Sequence, residues 1–282
     1  MAQPGVAPVL DVRGLTVEFS TEGGVLRAVD DVSFEIRRGE IVGLVGESGA
    51  GKSLTSEAIL RLIRCPPGRV QGEVRFRGQN LLTLSERDLA DIRGKHIAMI
   101  FQNPGASLNP VFRVGEQMLE AMAVHVPERR SALRERVLEI LGRVGIPSPG
   151  TRARDYPHQF SGGMAQRVMI GMGISCMPSL LIADEPTTAL DVTIQAQVLA
   201  LIRRLARELG VAVLLVSHDL GNVRGLCKQV LWLDKGQVRA LGPTETAHLV
   251  EGVSRHEQHA ELGARSAEGL GGPGWAPHLK QS

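Results

Sequence analysis

The stretch Gly46-Glu47-Ser48-Gly49-Ala50-Gly51-Lys52-Ser53 constrains what this chain can fold into more than any other. It fits the spacing G-x-x-x-x-G-K-[ST] at every required position. The apolar run Ile41-Val42-Gly43-Leu44-Val45 before it reads as a buried parallel strand, and Leu54 to Ile63 after it carries apolar residues at helical spacing. A glycine-rich turn between strand and helix leaves backbone N–H groups pointing inward, where the helix dipole adds about half a unit of positive charge. Lys52 would reach the β- and γ-phosphates as a point charge, and the Ser53 hydroxyl would ligate Mg²⁺. The alternative is a chance glycine turn closing a βα unit. Strand, loop, lysine, hydroxyl and helix all fall in register, so the stretch predicts a P-loop nucleotidase.

Little in the composition competes with that reading. At 282 residues, 43% hydrophobic and 22% charged, the chain suits one large soluble domain, or a domain with a subdomain. A net charge of +2 exerts no strong pull toward nucleic acid or an acidic membrane. No apolar run approaches the ~20 residues that span a bilayer, and Met1 to Pro8 lacks the order of a secretion signal. Cys65, Cys176 and Cys227 are scattered, with no metal or redox spacing, so a reduced cytoplasmic setting is expected.

Along the chain, Val9 to Phe19 and Val25 to Ile36 alternate apolar and polar residues around Glu22-Gly23-Gly24, predicting a hairpin. Cys65-Pro66-Pro67-Gly68 breaks the pattern, and Val70 to Arg77 resumes it, so an antiparallel sheet should flank the nucleotide-binding core. A short helix is expected over Ser85 to Arg93 with Ser85 as cap, then a core strand over Ile97 to Phe101. Helical spacing over Val114 to Val124 and Ser131 to Val144, punctuated by Pro and Gly, predicts a mostly helical insertion over about 105–173. Core strands return at Leu180 to Glu185, Val211 to Val216 and Val230 to Leu233, with a long amphipathic helix over Thr193 to Leu209. The main domain is expected over 9–249. Residues 250–282 read as a weakly ordered tail, with a small helical cap over His248 to Leu262 as the alternative.

Open parallel sheets place ligands beyond the carboxyl ends of their strands. Three features fall there. Asp184-Glu185 ends an apolar strand: Asp184 would bind the metal, directly or through water, and Glu185 would act as general base on the attacking water. Gln102 ends another strand and could contact Mg²⁺ or water; His218 ends a third, and a γ-phosphate contact is expected of it. Standing alone, each would be an ordinary polar residue at a strand end. Ser161-Gly162-Gly163-Met164 opens a further helix with a serine cap and bare glycine amides, a second anion-binding terminus. It is either a plain helix cap or half of a site shared across a dimer.

Together these residues resemble the ATP-binding subunit of an ABC transporter, over roughly Val9 to Pro243. Gly46 to Ser53 match Walker A, Gln102 the Q-loop, Ser161 to Gln166 the signature, Asp184 the end of Walker B, Ala189-Leu190-Asp191 the D-loop and His218 the H-loop. Phe19 stands where the family places an aromatic ring against adenine. Within the superfamily, Phe101-Gln102-Asn103-Pro104, Tyr156-Pro157-His158-Gln159 and Ala183 to Gln197 resemble the dipeptide/oligopeptide/nickel importer branch. The resemblance implies a P-loop core with an antiparallel β subdomain and a helical subdomain, and two subunits sandwiching Mg-ATP between Walker A of one and Ser161, Gly162 and Gly163 of the other. Catalysis would fall to Glu185, His218 and Lys52; nucleotide binding to Phe19, Gly46–Ser53, Gln102, Ser161–Gly163 and Asp191; metal binding to Ser53, Gln102 and Asp184. It implies peripheral attachment at the cytoplasmic face of the membrane, two permease subunits, a second ATP-binding subunit and, indirectly, an extracytoplasmic solute-binding protein, with no nucleic acid. Three departures stand out: Phe160 replaces the usual signature leucine, Leu231 to Gly236 is worded differently, and the Gly-rich end lacks the cysteine-containing extension of many peptide importers. Peptides are the expected cargo, with nickel or another small solute as the alternative, and a soluble non-transport ABC ATPase as the remaining one.

Overall fold

The computed structural model describes residues 7–102, 104–223 and 225–243. Asn103, the expected tail over 250–282, its alternative helical cap and the last residues of the expected 9–249 domain lie outside the described residues. The chain runs β1 (Leu10–Thr21), β2 (Gly24–Ile36), β3 (Ile41–Val45), α1 (Lys52–Ile59), β4 (Gly68–Phe76), β5 (Gln79–Asn80), α2 (Glu86–Ile92) and β6 (Ile97–Ile100). Helices follow: α3 (Pro104–Ser107), α4 (Val114–Ala123), α5 (Arg130–Arg143), α6 (Pro149–Arg152) and α7 (Gly162–Ile174). Then come β7 (Leu180–Asp184), α8 (Val192–Leu209), β8 (Ala212–Ser217), α9 (Leu220–Val223), β9 (Gln229–Asp234) and β10 (Gln237–Pro243).

Among the described residues these strands form two sheets. One is four-stranded and antiparallel, in the order β2-β1-β4-β5; the other is six-stranded, in the order β10-β9-β3-β8-β7-β6. In the second sheet every pairing is parallel except that of β10 with β9. This is the α/β P-loop architecture that the sequence predicts. Its central strands are apolar throughout, because both faces are covered. Ile182, Leu214 and Leu231 pack toward the antiparallel sheet and α1 in one core. Their neighbours Leu181, Leu215 and Val230 pack with α4, α5, α7 and α8 in the other. Alternation along a strand thus splits a uniform apolar run between two cores.

Local chemistry accounts for most element ends. Ser85 caps α2, its Oγ accepting from Asp88 N at 3.2 Å. Asp191 caps α8, whose buried Val198, Leu201, Ile202, Leu205 and Ala206 recur at helical spacing until Gly210 turns the chain at a φ of 64°. Two expectations need correction. The helix read over Leu54 to Ile63 starts at Lys52 and stops at Ile59. Arg61 there takes a φ of 52°, and the Arg93 guanidinium caps the released carbonyls, donating to Leu60 O at 2.8 Å and Arg61 O at 3.0 Å. β10 was not expected. Lys235 and Gly236, with φ of 46° and 82°, form the tight turn that folds it back on β9.

Candidate nucleotide site

Strands β3, β8, β7 and β6 lie side by side, and their register pairs Val45 with Ser217, Val216 with Asp184, and Ala183 with Ile100. Their carboxyl ends therefore finish nearly level. Just beyond them come Gly46, His218, Glu185 and Gln102 respectively. A cavity of about 440 Å³ opens there, lined by Ser48, Gly49, Gly51, Lys52, Ser53 and Leu54 from the loop and first helix, and by Gln102, Glu185, Thr188 and His218.

The loop needs its glycines for close approach. A Cβ on Gly46 would lie 2.1 Å from Leu233 O, and one on Gly51, at a φ of 98°, would lie 2.5 Å from Ala28 O. Gly51 also occupies the cap position of α1 with no side-chain cap, so the first-turn N–H groups have no side-chain acceptor. The buried Lys52 ammonium donates to Gly46 O at 2.9 Å and Glu47 O at 2.7 Å, which pins it along the loop. Burial lowers its pKa, while the charges of Glu185, Asp184 and Glu47 raise it.

Asp184 is buried at the end of β7, and its Oδ1 has no hydrogen-bond partner among the described residues. Burial is the main cause of its raised pKa; the Ser53 hydroxyl lowers it, the Glu185 charge adds to the rise, and Lys52 opposes it. A buried orphan carboxylate oxygen beside a hydroxyl is a donor set that fits a hard, oxygen-seeking cation such as Mg²⁺.

Glu185 sits at a φ of 45°, in the left-handed region that costs an L-residue about 1–2 kcal/mol. Two donors converge on its Oε2, Thr188 Oγ1 at 2.9 Å and Gln102 Nε2 at 3.0 Å, and His218 Nδ1 lies 3.2 Å from the same oxygen. Among the described residues no donor reaches Oε1. His218 is presented by a tight turn in which Ser217 Oγ accepts from Asp219 N at 3.0 Å and Asp219 Oδ1 accepts from Gly221 N at 2.7 Å. Gln102, expected at the metal, therefore bonds to the carboxylate in this structure.

Other expected site residues lie elsewhere. Phe19 is opposite Leu26 and Gly68 in the antiparallel sheet, partly buried against its core. Asp191 Oδ1 accepts from Ile194 N at 3.0 Å as the cap of α8. Ser161 caps α7, accepting from Met164 N at 3.3 Å. A Cβ on Gly163 would meet Ile194 Cγ2 at 2.6 Å, so the start of α7 packs tightly on the start of α8. None of these lines the cavity. Thr188 does line it and was assigned no role from sequence; the signal was a hydroxyl three residues after a strand-end carboxylate.

Level strand ends, the glycine loop with its lysine, and the acids facing them define the class: a P-loop nucleotide-binding ATPase. The chain belongs to the ABC transporter family, whose model matches residues 29–188, and it is an ATP-hydrolysing cassette coupled to transport. It is 47% identical over 249 residues to the dipeptide transport ATP-binding protein DppD of Escherichia coli K12, covering 88% of this chain and 75% of that protein. It is 45% identical over 241 residues to the oligopeptide transport ATP-binding protein OppD of Bacillus subtilis 168, covering 85% of this chain and 67% of that one. The solved dimer of MJ0796, a bacterial ABC transporter cassette, superposes with a TM-score of 0.74 at 26% identity, over 83% of this chain and 98% of that one. A post-hydrolysis dimer of the same cassette, bound to ADP and Pi, matches equally well, with a TM-score of 0.74.

Proposed function

We propose that this chain is the ATP-hydrolysing subunit of an ABC importer for dipeptides or oligopeptides, working at the cytoplasmic face of the membrane. Among the described residues no helix is long and apolar enough to cross a membrane, so passage of cargo falls to two permease subunits, fed by an extracytoplasmic solute-binding protein. A second ATP-binding subunit completes the pair. The peptide cargo rests on the names of the relatives. The segment 105–173 is the surface assigned to the permease.

The observation that carries the catalytic reading is the convergence on Glu185 Oε2, which among the described residues leaves Oε1 without a donor and able to take a proton. Water attacks the γ-phosphorus, the bond to the β–γ bridging oxygen breaks, and the water proton passes to Glu185. Lys52 and the first-turn amides of α1 hold the β- and γ-phosphates; His218 steadies the carboxylate at their edge. Phe19 takes the adenine. Ser53 and Asp184 would hold Mg²⁺, with Gln102 beside them once its bond to Glu185 opens; when bound, the ion neutralises charge on the phosphate oxygens. Ser161, Gly162 and Gly163, outside this cavity, serve the nucleotide of the second subunit, with Asp191 at the junction between the two.

Affinity purification of the tagged chain from its native membrane tests the assignment. Recovery of two multi-span permeases and a binding protein that retains peptide is the expected result. Recovery of ribosomes or nucleic-acid enzymes without a permease would overturn transport, and a binding protein selective for nickel would overturn the cargo.

A further inference from the structure

Glu185 is positioned by more than the residues assigned to catalysis. Its closest donor is the Thr188 hydroxyl, 2.9 Å from Oε2. A Ser or Thr three residues after a carboxylate often does no more than close a turn. Here the turn is closed without the hydroxyl, because Thr188 N already donates to Glu185 O at 3.2 Å. The loop is held a second time from α8, where Gln195 Nε2 donates to Leu190 O at 3.0 Å and to Thr187 O at 3.3 Å. The side-chain hydroxyl is therefore spare as a structural tie, and it is spent on the carboxylate.

The other two groups against Oε2, the donor Gln102 and the nearby His218, come from different elements. Gln102 follows β6, and His218 is 56% exposed at the end of β8. Only Thr188 shares a loop with Glu185, so its grip does not depend on how β6 and β8 sit relative to β7. We infer that Thr188 is a positioning residue for ATP hydrolysis: its hydroxyl holds Glu185 Oε2 and keeps Oε1 turned toward the water. This rests on the reading of Glu185 as general base.

The test is steady-state ATP hydrolysis by the full-length chain with Mg-ATP, comparing Thr188→Val, Thr188→Ser and Glu185→Gln. Thr188→Val, which keeps the shape and loses the hydroxyl, is expected to lower kcat about tenfold, the scale of one charge-assisted hydrogen bond. The KM for ATP and the melting temperature should stay unchanged. Thr188→Ser should restore the rate. In the Glu185→Gln background, adding Thr188→Val should change nothing further, because the hydroxyl acts through that carboxylate. A wild-type rate in Thr188→Val would overturn the inference. So would a Thr188→Ser protein no better than Thr188→Val, or a fall in kcat matched by a rise in KM and a drop in melting temperature. If Glu185→Gln itself retains turnover, the general-base reading fails instead. If Thr188→Val does not fold, Thr188→Ala put through the same measurements and compared with Thr188→Ser decides the matter.

Discussion

At the scale of single residues, this site sets three charged groups against their surroundings. Among the described residues, Glu185 has one oxygen held by two donors with His218 beside it, and one that no donor reaches. Glu185→Gln keeps the shape and removes the basicity, so kcat should fall at least about 100-fold, as for loss of a general base, while ATP affinity measured by calorimetry holds. Lys52 is buried with its charge, and among the described residues its hydrogen-bond acceptors are two carbonyls of the loop it serves. Lys52→Ala should weaken ATP binding by about 10- to 100-fold, the worth of charged hydrogen bonds to phosphate, measured in the same calorimeter. Asp184 is the strained member of the set. Its pKa in the fold lies above the ordinary carboxylate value of 3.8, chiefly through burial. Between those two values the native state binds more protons than the unfolded one, so this group makes stability fall as pH rises through that window. Asp184→Asn should therefore melt higher than wild type at pH 7 without nucleotide, with the difference shrinking toward pH 4. It should also lose the extra stabilisation that Mg²⁺ adds to ATP. A lower melting point at pH 7 would show that the buried charge is compensated in the fold.

At the scale of elements, the segment between β7 and α8 joins chemistry to scaffold. Glu185 and Ala189 both take left-handed φ, 45° and 63°, so the turn that aims the carboxylate is under strain. It persists because Asp191 caps α8 and Gln195, one turn further on, ties back Thr187 O and Leu190 O. Asp191→Ala should cost about 1 kcal/mol in denaturant unfolding, the usual worth of such a cap, and Asp191→Asn should cost little. Most elements were legible from sequence because their signals are local. Alternation marked the β1–β2 hairpin, Ser85 marked the start of α2, and spacing marked α4, α5 and α8. The early end of α1 was not legible, since the side chain that caps it, Arg93, arrives from beyond α2. β10 escaped for the opposite reason: its two-residue turn at Lys235-Gly236 is local, but its short run carries little apolar periodicity.

At the scale of the whole molecule, the signature amides at the start of α7 pack on α8 and do not line the cavity in front of the phosphate loop. The sandwich proposed above needs a second copy or a related chain to complete it; the MJ0796 cassette, on which this fold superposes, is solved as a dimer. Light scattering should find the Glu185→Gln protein monomeric alone and dimeric with Mg-ATP, and the Lys52→Ala protein monomeric in both. A ligand shifts such an equilibrium only by its preference for the closed pair. A Glu185→Gln chain that stays monomeric at saturating ATP would remove the self-paired sandwich and leave a partner of different sequence.

The sequence by itself determined the class of fold, the loop that would hold phosphate, and the identity of Lys52, Asp184, Glu185, Gln102 and His218 as strand-end residues. Each of these depends on neighbours close along the chain, or on a spacing that glycine and lysine can satisfy in few ways. Only the tertiary structure decided which strands are adjacent, and so that Gln102 and His218, 116 residues apart by numbering, meet on one oxygen of Glu185. It also decided which face of each uniformly apolar strand enters which core, because a run such as Leu180 to Ala183 carries no alternation to read. The role of Thr188 emerged the same way. A hydroxyl near a carboxylate is a commonplace of sequence, and it becomes specific only when the loop around it is seen to be held by other means.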